Sequence, residues 1–272
     1  MTNTQKVIKY LAIAFAFSII INIVYFAVFA IFQFTNMFGL VNDTNDKKVE
    51  SYVINTNNNI SSLEISIQYS SLEIINSDKF LIETNNKYIK VKENNNKLTI
   101  KENNKKLFTS KNTNKITLYI PYNFIFDDVD INSGVGNINI DLINSKDLNL
   151  KIGAGKITIK DLFIANKAKI EGGAGKITIS SGQINNLNLD SGVGKVSIRC
   201  KLTGNNNISS GIGETNLLLL GDKENYTVIA SKGIGTISFN DIQISDGALY
   251  GNGENLIKID GGIGSINIST RH

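Results

Sequence analysis

The 272-residue sequence contains one cysteine, one histidine, one proline and no tryptophan, and each scarcity excludes something. Cys200, alone, permits neither an intrachain disulfide nor a cysteine-based metal site, so this is not a small disulfide-stapled secreted domain. His272 is the only histidine, which leaves no Ser-His-Asp, Cys-His or multi-histidine metal constellation. Pro121 is the only proline, so the chain is no Pro-rich stalk. Charge of one sign is also lacking. Lys and Arg number 28 against 24 Asp and Glu, a formal charge of +4, and the bases alternate with acids rather than forming a stripe. A chain of this kind does not neutralise a run of phosphates, which argues against nucleic acid as a partner.

What is present begins with a long apolar run. No residue from Tyr10 to Phe34 is charged. As a helix at about 1.5 Å per residue it would measure roughly 37 Å, enough to cross a hydrocarbon core of about 30 Å with some tilt. Lys6 and Lys9 precede it, and the first charge after it is Asp43. The positive-inside rule then predicts a cytoplasmic segment 1–9, a transmembrane helix 10–34, a linker 35–48 and an extracytoplasmic remainder. The competing reading is a cleaved signal peptide ending near Val28-Phe29-Ala30, but the run is longer than an ordinary signal core and continues through Ile31, Phe32 and Phe34. An uncleaved anchor in the cytoplasmic membrane is the expectation, with Asn22 a tolerated mid-span amide.

From Val49 onward the pattern is short runs of period two, such as Leu63-Glu64-Ile65-Ser66-Ile67 and Lys97-Leu98-Thr99-Ile100, broken by Asn, Ser and Lys. This predicts strands with one buried face and an all-β fold. Residues 49–130 are read as an N-terminal β-strand region and 131–272 as a repeat array. The array is marked by Gly-x-Gly at Gly134/Gly136, Gly153/Gly155, Gly173/Gly175, Gly192/Gly194, Gly211/Gly213, Gly233/Gly235 and Gly262/Gly264, with spacings of 19, 20, 19, 19, 22 and 29. Periods of this size mean a solenoid. An apolar residue stands three before each first Gly, and apolar residues stand two and four after each second Gly, except at Thr215.

The apolar positions before the glycines, together with the Val, Ala or Ile between them, share one parity, and those after have the other. Keeping both sets inward requires a corner, which the Gly pair supplies by accepting positive φ and close backbone approach. Each coil is expected to hold two or three short strands, with a column of Ile, Leu and Val inside: a β-solenoid or β-helix. Asn-rich stretches such as Asn205-Asn206-Asn207 read as turn chemistry.

The strand Ile116-Thr117-Leu118-Tyr119-Ile120-Pro121, followed by these Gly-x-Gly coils, resembles the bacterial "putative adhesin" family, domain of unknown function 4097, over residues 50–270. The resemblance implies a β-strand-repeat envelope protein with adhesin-like or envelope-stress roles and no catalytic motif to transfer. The insertion Asp246–Asn255 in the last repeat departs from the even pattern.

Candidate sites are few. Gly-x-Gly can cradle phosphate, but no copy extends to Gly-x-Gly-x-x-Gly, so all seven read as structural corners. A calcium-binding nonapeptide needs an Asp where Ile177 and Ile266 stand. Asp127, Asp128 and Asp130 could suggest a glycosidase pair, but no second acid cluster matches them, and they read as a solvated turn. Cys200 has inward parity and reads as an inert buried thiol. Lys156, Lys176 and Lys195 follow three successive corners, flanked by Asn137 and Glu214. They are expected to stack outward as a ladder, either a plain solvated face or a contact for an anionic envelope polymer or lipid headgroups. The chain is therefore read as a non-enzymatic, membrane-anchored, adhesin-like protein without a cofactor, acting in envelope binding or stress sensing, with another envelope protein as a further possible partner. The alternatives are a scaffold polymerising through solenoid ends and, less favoured, a polysaccharide-acting enzyme. The sequence carries no signal for an oligomeric state.

Overall fold

Alternating Ile and Leu give strands along nearly all of the chain described by the computed structural model, which covers residues 49–54, 59–103 and 114–271. The apolar span 10–34 and the linker 35–48 lie outside the described residues. Among the described residues no helix is long and apolar enough to cross a membrane. The strands are β1 (Glu50–Val53), β2 (Ser62–Ile67), β3 (Ser71–Ser77), β4 (Leu81–Thr84), β5 (Ile89–Asn94), β6 (Lys97–Glu102), β7 (Lys115–Pro121), β8 (Phe126–Asn185), β9 (Leu187–Thr203), β10 (Asn205–Leu220), β11 (Tyr226–Phe239), β12 (Ile242–Gln243), β13 (Leu249–Tyr250) and β14 (Asn255–Arg271). The expectation of short separate strands within each coil is corrected. β8 runs for 60 residues and passes through three Gly-x-Gly corners without interruption, because each corner keeps its backbone paired with the next rung. The same holds further along: Gly192 and Gly194 lie inside β9, Gly211 and Gly213 inside β10, Gly233 and Gly235 inside β11, and Gly262 and Gly264 inside β14.

The stacking is parallel. β8 pairs with β9 in register, Ile170 beside Leu189 and Ile177 beside Val196, and β9 pairs with β10 in the same way. One buried column of Ile, Leu and Val results, with Ile131, Leu150, Ile170, Leu189 and Ile208 each at most 1% exposed. In the first full rung the inward residues change phase twice between corners: Ile138 and Ile140, then Ile143 and Ser145, then Leu148, Leu150 and Ile152. Each change of phase marks a bend, because a strand shows alternate residues to one face. Cys200 is fully buried in the column, and burial pushes its thiol up to about 12. Thr215, the exception in the repeat, also faces inward, and its hydroxyl is satisfied by Ser210 at 2.6 Å.

A second corner is built from asparagine. The Asn186 amide donates to the carbonyl of Asn166 (2.9 Å), the Asn205 N–H donates to the Asn186 Oδ1 (3.0 Å), and the Leu187 N–H donates to the Asn206 Oδ1 (3.0 Å). Each side chain satisfies backbone groups of a neighbouring rung, the turn chemistry expected of these residues.

Rung order departs from chain order at both ends. After β10 the chain skips one place, forms β11 as the outer rung, and returns as β14 between β10 and β11. The spacings of 22 and 29 reflect this detour, which also supplies β12 and β13 as antiparallel covers on β11. At the other end β2 and β3 form a rung against β8, while the later strands β6 and β7 stack outside them. β5 then covers β6, and β4 with β1 covers β7, all antiparallel. The division expected at 130/131 does not interrupt the stack, since Leu63 pairs with Val129 and Ile65 with Ile131.

The rung β2–β3 has Gln68-Tyr69-Ser70 where later rungs have Gly-x-Gly. A Cβ built on Gly134 would meet the Gln68 oxygen, and one on Gly136 would meet the Ser70 oxygen. The Val135 N–H donates to the Gln68 carbonyl at 2.8 Å. On the outer side of this corner lies the carboxylate of Glu102, the last residue of β6. Its Oε2 accepts from the N–H groups of Gln68 (2.8 Å), Tyr69 (3.0 Å) and Ser70 (3.3 Å). Its Oε1 accepts from the Ser70 hydroxyl (3.1 Å) and the Asn86 amide (2.7 Å).

Candidate functional site

The Gly-x-Gly corners stack backbone on backbone. A Cβ on Gly153 would lie 2.6 Å from the Gly134 oxygen, nearer than real Cβ atoms come, and every later first Gly (Gly173, Gly192, Gly211, Gly233 and Gly262) meets the adjacent rung similarly. The second glycines add a backbone demand. Gly175 has φ +139, and its counterparts in other rungs lie between +137 and +151. Gly194 and Gly235 stand at φ +142 and +143, and a Cβ on either would collide with the carbonyl oxygen of Gly175 or Gly264 respectively. Gly213 presses on Gly194 in the same way, and Gly264 on Gly213. The shared account of the pair, positive φ and close approach at both glycines, is therefore corrected. Positive φ is required at the second Gly only, and close approach alone is the demand on the first. These two constraints describe the fourteen glycines of the corners.

The residue between the glycines does not point inward, contrary to expectation. Val135, Ala154, Ala174 and Val193 are part-exposed. Ile212, Ile263 and Ile234 are 43%, 47% and 70% exposed. Register places Val193 beside Ile212, Ile212 beside Ile263 and Ile263 beside Ile234. The corner therefore carries an apolar ridge flanked on both sides by glycine backbone.

Beside the ridge runs the lysine column. Lys176 pairs with Lys195 and Lys195 with Glu214 across consecutive rungs, and Lys156 follows the glycine stacked on Gly175. The column then continues as Ser265 and Thr236. The three lysines of the column are not equivalent. Lys195 Nζ lies 2.8 Å from Glu214 Oε2, and Asn216 donates to Glu214 Oε1 at 2.7 Å. Lys195 and then Asn216 hold the Glu214 carboxyl below its ordinary range. Lys156 and Lys176 are exposed and have no ion pair among the described residues, so they carry the column's free charge.

Elsewhere charge is balanced between rungs. Lys151 and Lys169 both reach Glu171, the former at 2.7 Å, and together they hold its carboxyl at about 2. A depressed carboxyl contributes stability that is complete above its ordinary value of 4.5 and is lost as pH falls toward 2. Glu171→Gln is therefore expected to shrink the acid-side loss of stability between about pH 4.5 and 2, read as urea midpoint against pH. Equal slopes for the two proteins would refute this assignment.

The acidic trio lies within β8 and not on a turn. Asp127 pairs with Lys146 at 2.7 Å, Asp130 accepts from the Asn149 amide at 3.2 Å, and Asp128 is raised by desolvation first and then by Asp130 and Asp147. Among the described residues no group of His, Cys, Asp and Glu is placed to hold a metal ion.

The sequence model of the Toastrack DUF4097 family matches residues 57–256. The chain belongs to that family. Among solved structures, this Toastrack chain is similar to a "putative adhesin" from Bacteroides fragilis, at 14% identity and TM-score 0.50, over 81% of this chain and 96% of that one. It is also similar to a "putative cell adhesion protein" from Clostridium sporogenes, at 19% identity and TM-score 0.40, over 82% of this chain and 99% of that one. No curated protein matches it. The likeness to the Bacteroides structure is one of fold.

Proposed function

We propose that this Toastrack protein is a non-enzymatic, membrane-anchored, extracytoplasmic adhesin-like protein whose repeated corner face binds an anionic envelope polymer. The carrying observation is the parallel column of Lys156 and Lys176 beside the apolar ridge. Consecutive rungs set like positions about 4.8 Å apart, a spacing suited to a periodic ligand. Two unpaired like charges side by side cost stability, so their retention favours a use outside the fold. The charge-free span 10–34 after Lys6 and Lys9 supports the anchor and the topology. The name "putative adhesin" carried by the Bacteroides fragilis structure agrees with a binding role. Polymerisation through the solenoid ends is the poorer reading, because antiparallel strands overlie the outer rung at one end and two stretches of β11 at the other.

The test is co-sedimentation with anionic wall polymer at low salt. Lys156→Gln/Lys176→Gln is expected to weaken binding severalfold while leaving the thermal midpoint unchanged or slightly raised. Replacing the ion pair as a whole, with Lys195→Gln and Glu214→Gln together, should weaken binding little further, since the two charges already cancel. Binding that is undiminished in the double variant, or that persists at high salt, would sink the proposal.

A further inference from the structure

The chain enters the described fold on its outermost strand. Val49 immediately precedes β1, and β1 is the last strand at that end of the sheet, beyond β4 and β7. The outward face there is apolar. Val53 pairs with Leu81 and Leu81 with Tyr119, so these three residues form a row across the three outer strands. Val53 is 82% exposed, and Tyr122, Ile125 and Val49 are 59%, 58% and 56% exposed. Tyr122 and Ile125 sit on a fixed turn. The Phe124 N–H donates to the Pro121 carbonyl at 3.1 Å, and the Phe124 ring packs between Phe80 and Phe126 at centroid distances of 5.0 and 4.7 Å. Acids border the row: Glu83 accepts from the Tyr119 hydroxyl at 3.1 Å, Glu73 acts on the same tyrosine, and Glu50 accepts from the Tyr52 hydroxyl at 2.7 Å.

We infer that this end of the solenoid rests on the lipid surface, with Val49, Val53, Tyr122 and Ile125 at the boundary between headgroups and acyl chains. The inference rests on the membrane-anchored reading of 10–34. One observation selects lipid over a second copy. The linker 35–48, which joins the apolar span to Val49, spans at most about 50 Å when fully stretched. A tether of that length holds the patch at an effective concentration of order millimolar, so weak contacts suffice. Tyrosine and branched aliphatics are the side chains that settle at this boundary.

The chain has no tryptophan, so each substitution adds a single reporter. Full-length Phe26→Trp, Tyr122→Trp and Phe163→Trp would be reconstituted in phosphatidylcholine vesicles with and without brominated acyl chains. Phe163 is 42% exposed and lies further along the stack. Strong quenching is expected for Phe26→Trp, about twofold quenching for Tyr122→Trp, and almost none for Phe163→Trp. Quenching of Phe26→Trp without Tyr122→Trp keeps the anchor and overturns the inference. Failure to quench Phe26→Trp overturns the anchored reading and the inference with it. A Tyr122→Trp emission that ignores bromolipid but shifts to the blue as protein density rises would assign the patch to a second copy, also overturning the inference. The urea midpoint of each variant checks that the fold is intact.

Discussion

Gly175→Ala is expected to cost about 4 kcal/mol or more, enough to leave much of the protein unfolded at ambient temperature. The methyl carbon would lie 1.8 Å from the Gly155 carbonyl oxygen and 2.8 Å from its carbon. Both are backbone atoms in the middle of a paired stack, so no side chain can swing aside, and relief requires two rungs to part. The φ of +139 adds strain of roughly 1–3 kcal/mol for any residue with a Cβ. Gly173→Ala separates the two effects. Its Cβ would meet the Gly153 oxygen at 2.2 Å, but its φ is not in the positive region, so a smaller loss is expected, about 2–3 kcal/mol. Gly247→Ala is the opposite control, with φ +69 and no atom within 4 Å of the added carbon. It should cost only about 1 kcal/mol, the price of left-handed geometry alone. Urea denaturation of the three variants gives the ranking. A loss below about 1 kcal/mol for Gly175→Ala, or equal losses at Gly175 and Gly247, would show that rung stacking does not set the requirement for glycine.

The all-β solenoid-like fold was legible because its demands fall on residue types that few other positions tolerate. Backbone stacked on backbone admits only glycine at Gly153 or Gly173, and the buried column demands branched aliphatics at fixed offsets. The register of the lysine column followed from the same spacing. The orientation of the residue between the glycines did not, because Val, Ala and Ile are core types and period-two reasoning places them on the inward parity. Rung order was equally hidden. The corners at Gly233 and Gly262 share Gly-Ile-Gly and the Ile two residues after it, and so fit either of the last two places. Only the long spacing, which releases residues for β12 and β13, hints that the chain doubles back. The first rung escaped notice because it lacks glycine. Its flanks obey the repeat, with Ile65 three before Gln68 and Leu72 and Ile74 two and four after Ser70. A search on the apolar offsets alone would have found it. The spacing already set Glu214 beside Lys195 in the next rung, but not the closure of their ion pair, which leaves the free charge on Lys156 and Lys176.

The missing glycines of that first rung lead to the second large effect. Among the described residues no corner presses on Gln68-Tyr69-Ser70, and their N–H groups are met by a carboxylate instead of by backbone carbonyls. Glu102 supplies the acceptor from the end of β6, and it is only 5% exposed. Glu102→Ala strips a carboxylate from three backbone donors, the Ser70 hydroxyl and the Asn86 amide in one step. Hydrogen bonds to a charged acceptor contribute roughly 1.5–3 kcal/mol each but are not additive at one carboxylate. Water can reach part of the corner past Tyr69, which is 37% exposed, and this reduces the cost. A net loss of about 3–5 kcal/mol is expected. Glu102→Gln keeps one acceptor oxygen for the three N–H groups and turns an NH₂ toward Ser70 and Asn86, where the hydroxyl can reverse its role but the Asn86 amide must flip. It should recover about half of the loss. Hydrogen exchange localises the effect: the N–H groups of Gln68, Tyr69 and Ser70 should lose protection in Glu102→Ala well before the Val135 N–H, which donates to the Gln68 carbonyl one rung inward. Uniform loss of protection through the stack would mean that Glu102 supports the global fold without capping this corner. A loss below about 1 kcal/mol would mean that water serves the first rung as well as the carboxylate does.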